Sequence, residues 1–141
     1  MLRHRRLSFA DVDAALELYD ILTVGPKGQN PEAFAAVISH PGTSVFGGLL
    51  ADQLVSMMTL HLLPNVTWGG RPYGLIENVV THSDHRRKGF GSAVMAKALV
   101  SAWEAGAYKV MILSGSKRHG TPFYLACGFN AEDKTGLVIR P

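Results

Sequence analysis

Arg86-Arg87-Lys88-Gly89-Phe90-Gly91-Ser92 joins a run of β-forming residues to an amphipathic helical pattern, and that position gives it a chemistry. The first amides of a helix have no intrahelical acceptor, and the helix dipole is positive there. Glycines that admit a ligand and basic neighbours that add charge therefore make a phosphate cradle. The spacing matches neither common nucleotide fingerprint. Val94 stands where a dinucleotide motif needs its third glycine, and no Gly-Lys-Ser/Thr follows a four-residue spacer. Glu77 lies inside the preceding β run, where alternation groups it with Leu75, Val79 and Thr81. A carboxylate there is costly unless solvated, paired or used. Loss of water around it would favour the neutral acid and suit it to accept a proton. His61, His82 and His85 lack metal-ligand spacing to a cysteine or acidic partner, so loop or packing roles are expected and no metal.

These residues need elements to hold them. An Asp-rich start at Ala10 to Asp13 precedes Ala15, Leu16, Tyr19 and Leu22 at helical spacing. Gly25 to Gly28 is a loop, and Asn30-Pro31 offers a cap and an N1 proline for a second helix with Phe34, Val37 and Ile38 inward. Ser44 to Leu50 and Leu54 to Leu62 read as an antiparallel hairpin, Pro64 to Pro72 as a loop, and Tyr73 to Thr81 as a third strand. Ser92 to Ala105 is a helix with Val94, Met95, Ala98, Leu99 and Ala102 on one side, ended by Gly106. Tyr108 to Leu113 is a buried strand and Thr121 to Cys127 a brief helix. Phe129 to Asn130 and Leu137 to Arg140 are expected as final short strands. The pattern is an α+β chain: helices, an antiparallel meander, then strand-helix-strand with a right-handed crossover.

Length and charge set bounds. At 141 residues and 47% apolar composition, residues 1–141 are expected to form one domain. The net charge of +3 is too mild for a nucleic-acid partner. It is concentrated in Arg3 to Arg6 and Arg86 to Lys88, and a local cluster suits an anionic ligand. No apolar run is long enough to span a membrane. The only cysteine, Cys127, cannot form an intramolecular disulfide, which points to a reducing, cytoplasmic setting.

Arg86, Gly89 and Gly91, spaced as Arg-x-x-Gly-x-Gly, resemble the signature of the GNAT superfamily of N-acetyltransferases. Ile76-Glu77-Asn78-Val79-Val80-Thr81 resembles the family's fourth strand. Phe123-Tyr124-Leu125-Ala126-Cys127-Gly128-Phe129 resembles its Phe-Tyr-x-x-x-Gly-Phe segment. Leu22-Thr23-x-Gly25, the strand core and Tyr108-Lys109-Val110 look like the glucosamine-6-phosphate N-acetyltransferase group within it. The resemblance implies a mixed, mostly antiparallel twisted sheet of about six to seven strands flanked by about four helices. It also implies acetyl-CoA as cofactor and direct acetyl transfer to the primary amine of a small molecule: an amino sugar, amino acid, phosphonate or polyamine. A protein lysine or N-terminal acetyltransferase and a non-catalytic acyl-CoA-binding module are the other classes it allows.

Roles follow from the same resemblance. Backbone from Arg87 through Lys88, Gly89, Phe90 and Gly91 to Ser92 would hold the pyrophosphate, and Val79, Val80, Thr81 and Arg86 would also contact the cofactor. Glu77 would take the amine's proton, directly or through water, the Val79 N–H would meet the oxyanion, and Tyr124 would donate to the departing thiolate. Where relatives often carry an asparagine after the fifth strand, this chain has Ser114-Gly115-Ser116-Lys117-Arg118, with Ser114 as substitute donor. Cys127 falls where small or apolar residues are common in the family, so an acetyl-cysteine intermediate is disfavoured. The loops from Leu18 to Ile38 and Pro64 to Tyr73 would set acceptor choice, with Lys27, Gln29 and Arg71 as polar contacts. A homodimer through Thr135 to Arg140 is also expected.

Overall fold

A computed structural model of the chain describes residues 1–23, 25, 26, 30–115 and 120–141. Its sheet runs β1-β2-β3-β4-β5 in sequence order, with β1 Leu2–Arg6, β2 Thr43–Leu50, β3 Gln53–Leu63, β4 Tyr73–Thr81 and β5 Val110–Ile112. Every neighbouring pair is antiparallel except β4 and β5, which are parallel. Helices α1 Val12–Leu22, α2 Pro31–Ser39, α4 Phe90–Glu104 and α5 Thr121–Ala126 accompany the sheet, with a four-residue turn, α3 Thr67–Gly70.

Strand alternation divides the core in two. Val45, Leu54, Met57 and Val80 turn to one face, against Ala15, Leu16, Leu18 and Phe34 of α1 and α2. Phe46, Met58, Leu60 and Ile76 turn to the other, against Val94, Met95, Ala98 and Ala102 of α4. The hairpin between β2 and β3 closes through Ala51 and Asp52, both at positive φ, as a two-residue turn requires. The Asn30 side chain accepts from the Ala33 amide at 3.0 Å and Pro31 opens α2, as the sequence indicates.

Ahead of α1, Ser8 and Asp11 form a capping box around a 3₁₀ turn, and Arg5 grips Asp11 with two hydrogen bonds of 2.9 and 2.8 Å. Those bonds, followed by the Ser8 amide, hold the Asp11 carboxyl below its ordinary value against a smaller opposing effect of burial. A depressed acid stabilises the fold above its unfolded value, near pH 3.8, and that contribution fades as the pH falls through the lower folded value. Arg5 is half exposed, so solvent weakens the pair. Asp11→Ala is expected to cost about 1–2 kcal/mol in urea unfolding at pH 7, with the gap to wild type closing in acid.

Several elements differ from expectation. Among the described residues the sheet has five strands rather than six to seven, and its first, Leu2–Arg6, was read from sequence only as a charge cluster. It is an edge strand with four exposed residues, so no apolar alternation announces it. Residues 129–130 and 137–140 form no strand. Leu137, Val138 and Ile139 are exposed, so a strand there has no buried face to stabilise it. The Pro64 to Tyr73 loop does not face the site. Arg71 donates to the Gly106 and Ala107 carbonyls at 2.9 and 3.1 Å, and Trp68 stacks on Tyr108, clamping the loop to the turn after α4.

Candidate active site

Asn78 takes φ 53°, and the β3–β4 register jumps there: Glu77 faces Thr59 and Val80 faces Met57, so Asn78 and Val79 together oppose Met58. This is a β-bulge, and it reverses the alternation beyond it. Glu77 therefore shares its face with Val80, while Val79 turns with Ile76 toward α4, so the expected grouping of Glu77 with Val79 and Thr81 is corrected. Pairing of β4 with β5 ends at Ile76 and Ile112. Beyond that point a cleft of about 350 Å³ opens, lined by Glu77, Asn78 and Val79 from β4, Leu113 and Ser114 after β5, and Tyr124 from α5. Leu22, at the end of α1, and Arg140 complete its mouth.

Glu77 is exposed, so the loss of water expected of a central strand is absent in the free protein. Thr59, opposite it, is buried and hydrogen-bonded to Tyr19, whose phenol is pushed up by burial. Tyr124 is half-buried, its ring edge-to-face with Phe123 at 5.2 Å and Phe129 at 6.1 Å. Gly120 allows that packing: a Cβ there would lie 3.2 Å from the Tyr124 ring and 3.3 Å from the Ser114 hydroxyl. Ser114 also accepts from the Thr121 hydroxyl at 3.4 Å. A second cavity of about 820 Å³ runs along β5 toward Leu99 and Trp103 and shares Ser114 and Tyr124 with the cleft.

The basic turn lies at the far end of β4. Helix α4 starts at Phe90, two residues earlier than expected, so Gly91 and Ser92 fall in its first turn. No side chain caps that turn, and Gly89, its N-cap, sits at φ 80° with nothing within 4 Å of an added Cβ. Arg86 donates to the Thr81 carbonyl at 3.1 Å and Lys88 to the Asp84 carbonyl at 3.2 Å, folding the turn back on the strand end, while Arg87 is exposed at φ 60°. Phe90 packs near His85, with ring centres 6.0 Å apart. Val80 is buried on the α1 side, and Thr81 bonds the Ser56 hydroxyl at 2.8 Å, so both are held from behind. Gly91 backs onto the Phe123 ring and the Thr81 hydroxyl, so it joins the turn to α5.

Burial pushes the Cys127 thiol up, with a smaller opposing hydrogen bond from Ser92, which keeps it protonated and a poor nucleophile. His61 and His40 both bond the Thr43 hydroxyl, at 2.9 and 3.0 Å, and His82 accepts from the Asp84 amide at 3.2 Å. Among the described residues no group of His, Cys, Asp and Glu is arranged to hold a metal. Lys27, Gln29, Ser116, Lys117 and Arg118 lie outside the described residues. Sequence reasoning missed Asn78 and Arg140. Asparagine's tolerance of left-handed backbone was a usable signal for the first; nothing in the tail's composition pointed to the second.

A strand split from its parallel neighbour, beside an uncapped helix start, is the framework of an acyltransferase. The chain belongs to the GNAT acetyltransferase family, whose model matches residues 12–129. It is 32% identical over 134 residues to the glucosamine 6-phosphate N-acetyltransferase of Trypanosoma brucei brucei, covering 92% of this chain and 90% of that one. A solved structure from Agrobacterium tumefaciens str. C58, to which acetyltransferase activity is ascribed, superposes with a TM-score of 0.91 at 37% identity over 99% of both chains. The glucosamine-6-phosphate N-acetyltransferase of Arabidopsis thaliana, at 20% identity and TM-score 0.83 over 99% of this chain and 98% of that one, shares the fold.

Proposed function

We propose that residues 1–141 act as one cytoplasmic domain that transfers acetyl from acetyl-CoA directly to the primary amine of a small molecule. The carrying observation is the cleft in which Glu77 of β4 and Tyr124 of α5 meet at the break between β4 and β5. Acetyl-CoA, when bound, supplies an acetyl thioester and an anionic tail. The uncapped first turn of α4, the open space at Gly89 and the cations around them fit that tail, and the gap beyond Ile76 and Ile112 suits a narrow arm.

In this reading Glu77 takes the proton of the incoming ammonium, and its exposure favours a route through water. Val79, which the register pairs with no residue of β3 or β5, offers its amide to the acetyl oxygen. The Tyr124 hydroxyl donates to the sulfur as it leaves. The 32% identity to a glucosamine 6-phosphate N-acetyltransferase supports an amino-sugar acceptor ahead of other amines. Two copies are proposed to meet where Leu137, Val138 and Ile139 are exposed, since apolar residues in a row on a surface suit a partner.

The deciding experiment measures thiol release against amino sugars, phosphonates, amino acids, polyamines and peptides. Turnover with a small amine is expected; turnover with peptides alone would overturn the reading. Glu77→Gln is expected to lower kcat about a hundredfold while acetyl-CoA affinity stays unchanged in calorimetry. Wild-type kcat in that variant would remove Glu77 from the chemistry.

A further inference from the structure

Ser56 is fully buried, a lone hydroxyl in the apolar stretch of β3 from Leu54 to Met58. The register sets it opposite Gly48 of β2, where a Cβ would come within 2.8 Å of a Val94 methyl, so α4 rests directly on the sheet beside it. A hydroxyl in that place is costly unless it is bonded. Its oxygen lies 3.3 Å from the Val80 carbonyl and 2.8 Å from the Thr81 hydroxyl. A carbonyl only accepts, so the one proton of Ser56 goes to Val80, and both bonds form together only if Thr81 donates to Ser56. Thr81 in turn joins the two ends of the basic turn. Its carbonyl accepts from Arg86 at 3.1 Å, and its hydroxyl would lie 3.4 Å from a Cβ on Gly91. Contact thus runs from a buried serine on β3, through the last residue of β4, to both ends of the segment from Arg86 to Gly91.

We propose that Ser56 is a positioning residue of the cofactor site. Through Thr81 it fixes the spacing between the end of β4 and the first turn of α4, and so the placement of the amides offered to the coenzyme's pyrophosphate. The inference rests on the acetyl-CoA reading and adds to it a residue that touches neither cofactor nor acceptor. The basic turn lies at the far end of β4 from the cleft, so loss of the Ser56 hydroxyl acts on binding of the anionic tail and leaves the acetyl-transfer step alone.

The test compares acetyl-CoA with S-acetylpantetheine, which carries the same thioester and arm without the pyrophosphate. The wild type, Ser56→Ala, Thr81→Val, Thr81→Ser and the double variant of Ser56→Ala with Thr81→Val are measured by calorimetry with acetyl-CoA. Thiol release is followed with each donor, using the amine that the wild type acetylates best. Ser56→Ala is expected to weaken acetyl-CoA binding about five- to tenfold, to raise its KM equally and to leave kcat at saturation unchanged. The kcat/KM for S-acetylpantetheine should keep its wild-type value. Thr81→Val should lose about as much affinity as Ser56→Ala, Thr81→Ser should lose little, and the double variant should lose no more than either single one. Wild-type affinity in Ser56→Ala, an equal loss with both donors, or additive losses in the double variant overturns the inference and leaves the acetyltransferase reading standing. Wild-type protein that binds no acetyl-CoA overturns that reading and the inference with it.

Discussion

Gly91→Asp is expected to weaken acetyl-CoA binding by about a hundredfold, or roughly 2.7 kcal/mol. Two effects combine. The new Cβ would sit 3.3 Å from two atoms of the Phe123 ring and 3.4 Å from the Thr81 hydroxyl, so the start of α4 must shift from β4 and α5 by a few tenths of an ångström. The carboxylate would also stand in the helix's first turn, where free amides and the dipole favour negative charge. There it occupies the position proposed for the pyrophosphate and repels an approaching one. A carboxylate at a helix start is itself stabilising, so the melting temperature should fall much less than binding does. Gly91→Ala isolates the packing effect and is expected to show a smaller loss. Calorimetry with acetyl-CoA beside a melting curve checks this, and unchanged affinity of the aspartate variant would remove the turn from cofactor binding.

Tyr124→Phe is expected to lower kcat by about a hundredfold while acetyl-CoA affinity changes less than about threefold. The ring is packed by Phe123, Phe129 and the flat approach of Gly120, so phenylalanine fits the same place and the fold is undisturbed. What is lost is a hydroxyl, and its proposed work comes late, as sulfur leaves. An interaction made mainly in the transition state lowers turnover and leaves ground-state binding alone. Single-turnover and binding measurements separate the two, and a larger loss in affinity than in rate would assign the tyrosine to holding the cofactor instead.

The parts legible in sequence were those where one periodicity ran unbroken. Helix α4 showed its core face because Val94, Met95, Ala98 and Ala102 recur at helical spacing, and all four are fully buried. β2, β3 and β4 were legible as β-rich runs between turn residues. Strand β1 was not, because an edge strand of arginines held by backbone pairing carries no apolar signal. The final strands were expected from two short segments, Phe129 to Asn130 and Leu137 to Arg140, and runs so brief, with Leu137 to Ile139 left in solvent, bury too little to make a strand. At the site, the glycine turn and Tyr124 were legible from residue type and order. The face on which Glu77 lies was not, because counting by twos fails wherever a strand carries one residue too many.

That extra residue is a device rather than a necessity of the sheet. Remove Asn78 and the ladder closes up: Thr81 stays beside Ser56, Glu77 beside Thr59 and Ile76 beside Leu60, with Val79 alone opposite Met58. The greasy support under α4 would keep its neighbours, and what would vanish is the local bend that a bulge gives a strand, at the very place where the cleft opens.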